Sequence, residues 1–359
     1  MKVIIVAGGT GGHIFPAIAI INKIKEHDKK CEFLYIGTTD RMEKDIIPKL
    51  GIKFEGIEMK GLNRKNIFSN FSVLNKFRLA IKRAKEIIKE FNPDVVIGAG
   101  GYITAPVLYA AHKLKVPTLI HEQNSIPGLS NKFISSFADK ICVSLPKSLE
   151  LFPKEKVVYT GNPRSEEIIK APKKLKSSLG FDENKKLVII VMGSLGSTTM
   201  NLKIKELIPG FCDKNYQVLL ITGKGYYDDY KDIEISSNVK IVPFMDDLIS
   251  LMKDCDLIVS RAGASTIAEI TAIGLPAILV PSPYVTNNHQ YKNAKELEDA
   301  GACKIVSEED FCKDKIIAEI DKIFDNREAY DLMVENSKKL GVSDSASRIY
   351  EGIRKIIRW

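Results

Sequence analysis

The sequence repeats itself. Val3-Ile4-Ile5-Val6-Ala7-Gly8-Gly9-Thr10-Gly11-Gly12 is matched 185 residues later by Val188-Ile189-Ile190-Val191-Met192-Gly193-Ser194-Leu195-Gly196-Ser197. Each copy begins with β-branched residues that suit a strand buried on both faces, and each continues into a glycine-rich loop where backbone can approach a ligand closely. Further short apolar runs at 33–36, 95–98, 118–120, 140–143, 218–221, 239–242, 257–259 and 277–280 are separated by helical stretches. Strands alternating with helices build parallel sheets, so the chain is expected to be α/β, with two doubly wound, Rossmann-like domains.

The domain boundary is expected near residue 163, where Gly161-Asn162-Pro163 breaks the chain ahead of the polar, basic stretch 171–178. The domains are then 1–163 and 164–340. Gly341 interrupts a helical pattern, and a last helix within 341–359, with Ile349, Ile353 and Ile356 on one face, is expected to return to the first domain.

Composition narrows the function classes. Hydrophobic residues make up 45% of the chain, enough for a core in each domain. No apolar run approaches the roughly 18 residues of a membrane span, and the N-terminal apolar run reads as a strand rather than a signal peptide, so a cytoplasmic location is expected. Six cysteines occur without a CxxC or Cys/His cluster, which indicates neither a disulfide framework nor a zinc site. The net charge of +8 is uneven: residues 60–89 carry nine Lys/Arg against one acid, Glu86. Along that stretch Phe77, Ile81, Ala84, Ile88 and Phe91 follow helical spacing toward a core and leave Lys76, Leu79, Lys82 and Arg83 opposite. A basic helix face is commonly just solvated. Here Ile67, Phe68, Phe71, Val73 and Leu74 adjoin it, and that mixture suits an anionic bilayer surface.

In an open parallel sheet, ligands bind beyond the carboxyl ends of the strands. The first such loop is Gly8-Gly9-Thr10-Gly11-Gly12-His13, with a helix expected to begin near Pro16; alone it fits a tight turn as well as a phosphate cradle. His13 could accept a proton from an attacking hydroxyl or simply bond to backbone. Gly98-Ala99-Gly100-Gly101-Tyr102 and His121-Glu122-Gln123-Asn124 each follow a strand and read as site. In the second half Arg261-Ala262-Gly263-Ala264-Ser265-Thr266 offers small residues and hydroxyls at a helix start, suited to a diphosphate. Glu269, one turn in, could accept two ribose hydroxyls or merely compensate the helix dipole. Asn287-Asn288-His289-Gln290 suits sugar hydroxyls. Asp254-Cys255-Asp256 matches a metal-binding DxD pattern but precedes its strand, the wrong end for a ligand, and reads as structural. Asp40 could serve a nicotinamide site, which the second half argues against.

The motifs GGTGGH at 8–13, GAGGY at 98–102, HEQN at 121–124, GNPR at 161–164, GS-x-G at 193–196, PFMDD at 243–247, SRAGAST at 260–266 and HQY-x-NA at 289–294 together resemble the MurG family of peptidoglycan N-acetylglucosaminyltransferases. The resemblance spans most of the chain. It implies a glycosyltransferase fold of the B type, its two domains facing a cleft, with the lipid-linked acceptor on the first domain and UDP-N-acetylglucosamine mainly on the second. Carried onto this sequence, the substrate-binding residues are Thr10, Gly11, Gly12, Asn124, Arg164, Ser194, Met245, Ala264, Ser265, Thr266, Ile267, Ala268, Glu269 and Gln290. Met245 stands where the family has isoleucine and Leu195 where many members have glutamine, so a side-chain contact to the diphosphate at 195 is lost. The implied reaction is inverting transfer of N-acetylglucosamine to lipid I, giving lipid II, with no cofactor and no metal. The general base is His13 or Glu122, with His13 favoured. The patch at Ile67, Phe68, Phe71, Leu79, Lys82 and Arg83 would hold the enzyme peripherally on the cytoplasmic face of the membrane. The rivals are a UDP-N-acetylglucosamine 2-epimerase or another B-type transferase and, from a different class, a non-catalytic membrane-associated nucleotide-sugar sensor. Nucleic acid is disfavoured for want of any groove-reading or base-stacking module.

Overall fold

The computed structural model describes residues 1–61, 70–193 and 197–357, the side chains of 70–72 excepted. The chain forms two compact units, Met1–Arg164 with Asp344–Trp359, and Ser165–Ser343. Among the described residues the first unit contains β1 Lys2–Val6, β2 Glu32–Thr38, β3 Lys53–Ile57, β4 Val95–Gly98, β5 Thr118–Glu122, β6 Lys140–Val143 and β7 Val157–Tyr159, in the sheet order β3-β2-β1-β4-β5-β6-β7. The second contains β8 Leu187–Val191, β9 Gln217–Ile221, β10 Val239–Val242, β11 Leu257–Ser260, β12 Ala277–Leu279 and β13 Cys303–Ile305, in the order β10-β9-β8-β11-β12-β13. The pairings in both are parallel. Two Rossmann-like α/β units are therefore present, as the alternating pattern implies.

The helices are α1 Gly11–His27, α2 Glu43–Lys49, α3 Asn70–Phe91, α4 Thr104–Lys113, α5 Leu129–Ile134, α6 Arg164–Lys170, α7 Thr198–Leu207, α8 Leu248–Met252, α9 Ala264–Ile273, α10 His289–Asp299, α11 Lys313–Asp325, α12 Arg327–Leu340 and α13 Ser345–Ile356. They cover both faces of each sheet, which is why the central strands read as unbroken apolar runs: Val3, Ile4, Ile5 and Val6 are all fully buried, as are Leu187, Val188 and Ile189. The last helix, α13, packs on α1 and puts Ile349 and Ile353 into the same cluster as Val3, Ile5, Ile20 and Ile24. At roughly 25 cal/mol per Å² of apolar area, two fully buried isoleucines contribute on the order of 4 kcal/mol to the first unit.

Three strands fall outside the apolar runs that mark the others in the sequence. β3 (Lys-Phe-Glu-Gly-Ile), β7 and β13 lie at sheet edges, are short, and leave residues partly exposed, so the burial that makes a central strand legible is missing. The first helix also begins earlier than Pro16. Thr10 is extended (φ −144°, ψ 157°), and its carbonyl accepts from His13 N and Ile14 N, so the helix starts at Gly11 and carries Pro16 within it.

Strand order positions the loops. In the first sheet the direction of winding reverses between β1 and β4, and in the second between β8 and β11. At such switch points the two following loops diverge and leave a crevice at the carboxyl edge. Gly8–His13 stands beside Gly98–Tyr102 for this reason.

Candidate active site

In the first unit the two loops interlock. Gly8 N donates to Gly100 O at 3.3 Å, and Ala99 N to Val6 O at 2.8 Å. Gly100 (φ +104°) and Gly101 (φ +91°) occupy the left-handed region, and neither has room for a side chain: a Cβ on Gly100 would lie 2.3 Å from His13 Nδ1, and one on Gly101 2.4 Å from Gly8 O. Gly100 of GAGGY is thus the seat on which the His13 ring rests, and Gly101 lets the loop close on the Gly8 backbone. Beneath the first loop, the fully buried Glu43 accepts from Gly9 N at 3.2 Å, Thr38 N at 3.0 Å and Thr38 Oγ1 at 2.7 Å.

The His121–Asn124 run is both core and site, since His121, Glu122 and Gln123 are buried and only Asn124 is partly exposed. Glu122 accepts from Asn124 N (3.0 Å) and Asn124 Nδ2 (3.2 Å) through Oε1, and from Gly128 N (3.0 Å) and Asn131 Nδ2 (2.9 Å) through Oε2. Four donors engage both oxygens and hold the 123–128 loop. Gln123 meets His13 Nδ1 at 3.2 Å through Oε1, while its Nε2 donates to Ala99 O at 2.7 Å. Burial lowers His121 to about 4, so its ring is neutral near pH 7. The Arg164 guanidinium lies over the Phe15 ring at 5.3 Å, and that ring packs against Gly11. Thr10, Gly11, Gly12, His13, Asn124 and Arg164 are therefore all placed on loops at the carboxyl edge of this one sheet or on helices that begin there.

In the second unit Ser194, like Leu195, lies outside the described residues. Gly193 is left-handed (φ +93°), and the carbonyl of Ser197, just before α7, accepts from the buried Asn201 Nδ2 at 3.0 Å. The Arg261–Gly263 loop is pinned from behind: Arg261 donates to Val280 O at 3.1 Å and to Glu308 at 2.7 Å, in an ion pair whose side chains are 11% and 7% exposed. Asn293 Nδ2 donates to Ala262 O at 3.4 Å, and Gln290 Oε1 accepts from Ser282 N at 2.8 Å, so α10 ties down both the 261–263 loop and the backbone at 282. Along α9, Ala264, Ser265, Thr266 and Glu269 are half-buried, whereas Ile267 and Ala268 turn into the core and have only backbone to offer a ligand. Met245 is half-buried beside the exposed Phe244.

The discounted DxD is occupied structurally. Asp254 pairs with Lys173 at 2.7 Å and accepts from Lys176 N at 2.7 Å, and Asp256 accepts from Leu187 N at 2.7 Å. Of the basic and apolar patch, Ile67 and Phe68 lie outside the described residues, as does the side chain of Phe71. Leu79 is 58% exposed, with Lys82 and Arg83 exposed beside it. Arg83 reaches Glu55 at 3.2 Å, an exposed pair of little energetic weight. A cavity of about 490 Å³ opens nearby, lined by Met59, Lys60, Val73, Leu74, Phe77, Tyr102, Ala105, Leu129, Ser130 and Phe133. No helix among the described residues is long and apolar enough to cross a membrane.

Glu43 and Asn201 carry no local sequence signal. Glu43 is 34 residues from the glycine it holds, and only the fold brings them together.

Two family models match the chain, the glycosyltransferase family 28 N-terminal domain over residues 3–143 and the C-terminal domain over 187–349. A Bacillus cytotoxicus protein named UDP-N-acetylglucosamine–N-acetylmuramyl-(pentapeptide) pyrophosphoryl-undecaprenol N-acetylglucosamine transferase is 44% identical, with 100% of both chains covered. Among solved structures, Acinetobacter baumannii MurG is similar with a TM-score of 0.80 at 27% identity, covering 99% of each chain. A UDP-N-acetylglucosamine 2-epimerase from Neisseria meningitidis, at 16% identity and a TM-score of 0.67 over 99% of this chain and 100% of that one, shares the fold.

Proposed function

The chain belongs to glycosyltransferase family 28, and on that premise we infer that it transfers N-acetylglucosamine from UDP-N-acetylglucosamine to the muramyl 4-hydroxyl of undecaprenyl-pyrophosphoryl-N-acetylmuramyl-pentapeptide. The reaction converts lipid I to lipid II for peptidoglycan. The observation that carries this reading is the full-length identity to transferases of that name, which spans both glycine-loop systems.

The acceptor oxygen bonds to the anomeric carbon while the bond from that carbon to the diphosphate breaks, inverting the centre. The hydroxyl proton passes to a base, and UDP departs with the electron pair. His13 is assigned as that base. Its support is the hydrogen-bonded, glycine-seated ring at the carboxyl edge, together with the saturation of the rival Glu122 by four donors. The leaving diphosphate would be met by the first turn of α9 and by Arg164, and the uridine ribose by Glu269. Ser265 supports a donor role in this turn, since its buried Oγ has no protein partner among the described residues. Thr10, Gly11, Gly12 and Asn124 are assigned beside the base, and Ser194, Met245, Gln290 and the backbone of Ile267 and Ala268 to the donor. The first unit would hold the acceptor and the second UDP-N-acetylglucosamine.

The enzyme would dock peripherally on the cytoplasmic leaflet through exposed Leu79, Lys82 and Arg83 with the neighbouring apolar residues, each basic group near an anionic surface contributing about 1 kcal/mol. Vesicles rich in anionic lipid should sediment the protein at low salt. No sedimentation, or equal sedimentation after Phe68, Phe71 and Leu79 are changed to Ser, would remove that assignment.

UDP release from UDP-N-acetylglucosamine, measured with and without a lipid I analogue, tests the reaction. A transferase releases UDP only with acceptor. Conversion of donor without acceptor would point to an epimerase, and binding without conversion to a sensor.

A further inference from the structure

The contacts among His13, Gln123 and His121 leave little freedom in where the protons sit. Ala99 O and Gly161 O are carbonyls and can only accept. The Gln123 atom 2.7 Å from Ala99 O must therefore be the amide nitrogen, and the atom 3.2 Å from His13 Nδ1 must be the amide oxygen. An amide oxygen cannot donate, so His13 Nδ1 carries a hydrogen. The second hydrogen of Gln123 Nε2 points to His121 Nδ1 at 3.0 Å, which must then accept. His121 consequently carries its hydrogen on Nε2, where it meets Gly161 O at 3.2 Å and Ser144 Oγ at 3.2 Å. Two carbonyls at opposite ends of the chain of contacts give the same polarity throughout. Gln123 is 1% exposed and His121 fully buried, so the bonds of Gln123 to Ala99 and His121 and of His121 to Gly161 are shielded from water. Burial also keeps the His121 ring neutral, which preserves its accepting nitrogen near pH 7.

We propose that Gln123 is a positioning residue that holds His13 in the Nδ1–H tautomer and so places the basic lone pair on Nε2. A histidine in water prefers the opposite tautomer, and the hydrogen bond at one ring nitrogen decides what the other can do. The inference rests on the reading of His13 as the base: an Nδ1–H imidazole takes the hydroxyl proton on Nε2, and the resulting imidazolium keeps its Nδ1–H bond to the amide oxygen. His121, with its bonds to Gly161 and Ser144, fixes the rotamer of the amide.

Nitrogen-15 spectra of the ring-labelled full-length enzyme at neutral pH, with His13 assigned by difference from His13→Ala, read the tautomer directly. The wild type should show a protonated Nδ1 and a pyridine-like Nε2. In Gln123→Met the pattern should move toward protonated Nε2, kcat should fall on the order of 10²-fold, and KM for UDP-N-acetylglucosamine should stay within about twofold. A protonated Nε2 in the wild type overturns the inference without need of any variant, and so does an unchanged tautomer in Gln123→Met. A switched tautomer in Gln123→Met combined with full turnover in His13→Ala would instead overturn the base assignment and leave the hold of Gln123 on the ring standing.

Discussion

Gly8 and Gly193 occupy the same place in the repeated segment, yet each is glycine for its own reason. In the first unit a Cβ at Gly8 would lie 2.6 Å from Glu43 Oε1 and 3.2 Å from Ile103, so the constraint is packing. In the second a Cβ at Gly193 would meet nothing within 4 Å among the described residues, and the constraint is the left-handed backbone at φ +93°. The contrast extends through both loop systems. The first unit locks its loops with buried hydrogen-bonding side chains (Glu43, His121, Glu122, Gln123) and holds an imidazole among them. The second braces its loops with the Arg261–Glu308 ion pair and with Asn201 and Asn293, leaving amides and hydroxyls at the start of α9. On the proposed assignments, one copy of the fold manages a proton and the other receives a charged ligand.

The largest test of that division is His13→Ala, which should lower kcat by about 10²- to 10⁴-fold at saturating donor in a steady-state assay. An unchanged rate would undo the contrast as drawn, because the imidazole would then not handle the proton. Acid should also separate the two. The unfolded chain protonates His121 near its ordinary value of 6.5, whereas the folded unit resists until about 4. Stability of the first unit is therefore lost as pH falls through that window, by about 3 kcal/mol in full. The second unit has only His289, which is not buried. Proteolysis during unfolding, followed between pH 7 and pH 4.5, should show the first unit yielding earlier; equal acid sensitivity would contradict the account.

Glu269→Gln probes the second unit in the other direction. It should raise KM for UDP-N-acetylglucosamine about tenfold and leave kcat nearly unchanged, as expected when an interaction contributes equally in the ground and transition states. A fall in kcat alone would move chemistry onto this side. The glycine pair gives the smallest effects: Gly8→Ala should cost about 2 kcal/mol of stability through overpacking on Glu43, and Gly193→Ala about 1 kcal/mol through backbone strain. Thermal unfolding of both variants would show whether that order holds.

Much of this was legible before the structure, and the reason is burial. The central strands are covered on both faces and must be continuously apolar, so the repeat at 3–12 and 188–197 announced two sheets. The edge strands β3, β7 and β13 escaped because one side of each is open and a few residues suffice. The glycine loops were legible because each is contiguous. The run 121–124 looked like a polar site, but three of its four side chains are buried, and a single chain cannot reveal that Gln123 meets a residue 110 positions away. The same holds for Glu43.

The return of α13 to the first unit means that residues 165–343 form an insertion within a unit whose two parts are far apart in the chain. On a ribosome the inserted unit has all its strands once residue 343 has emerged. The first unit, synthesised earlier, lacks Ile349 and Ile353 until codons beyond the whole inserted unit are read, and until then the surface of α1 that they cover stays open. A frameshift or premature stop in those codons would therefore injure the half of the molecule that was made first.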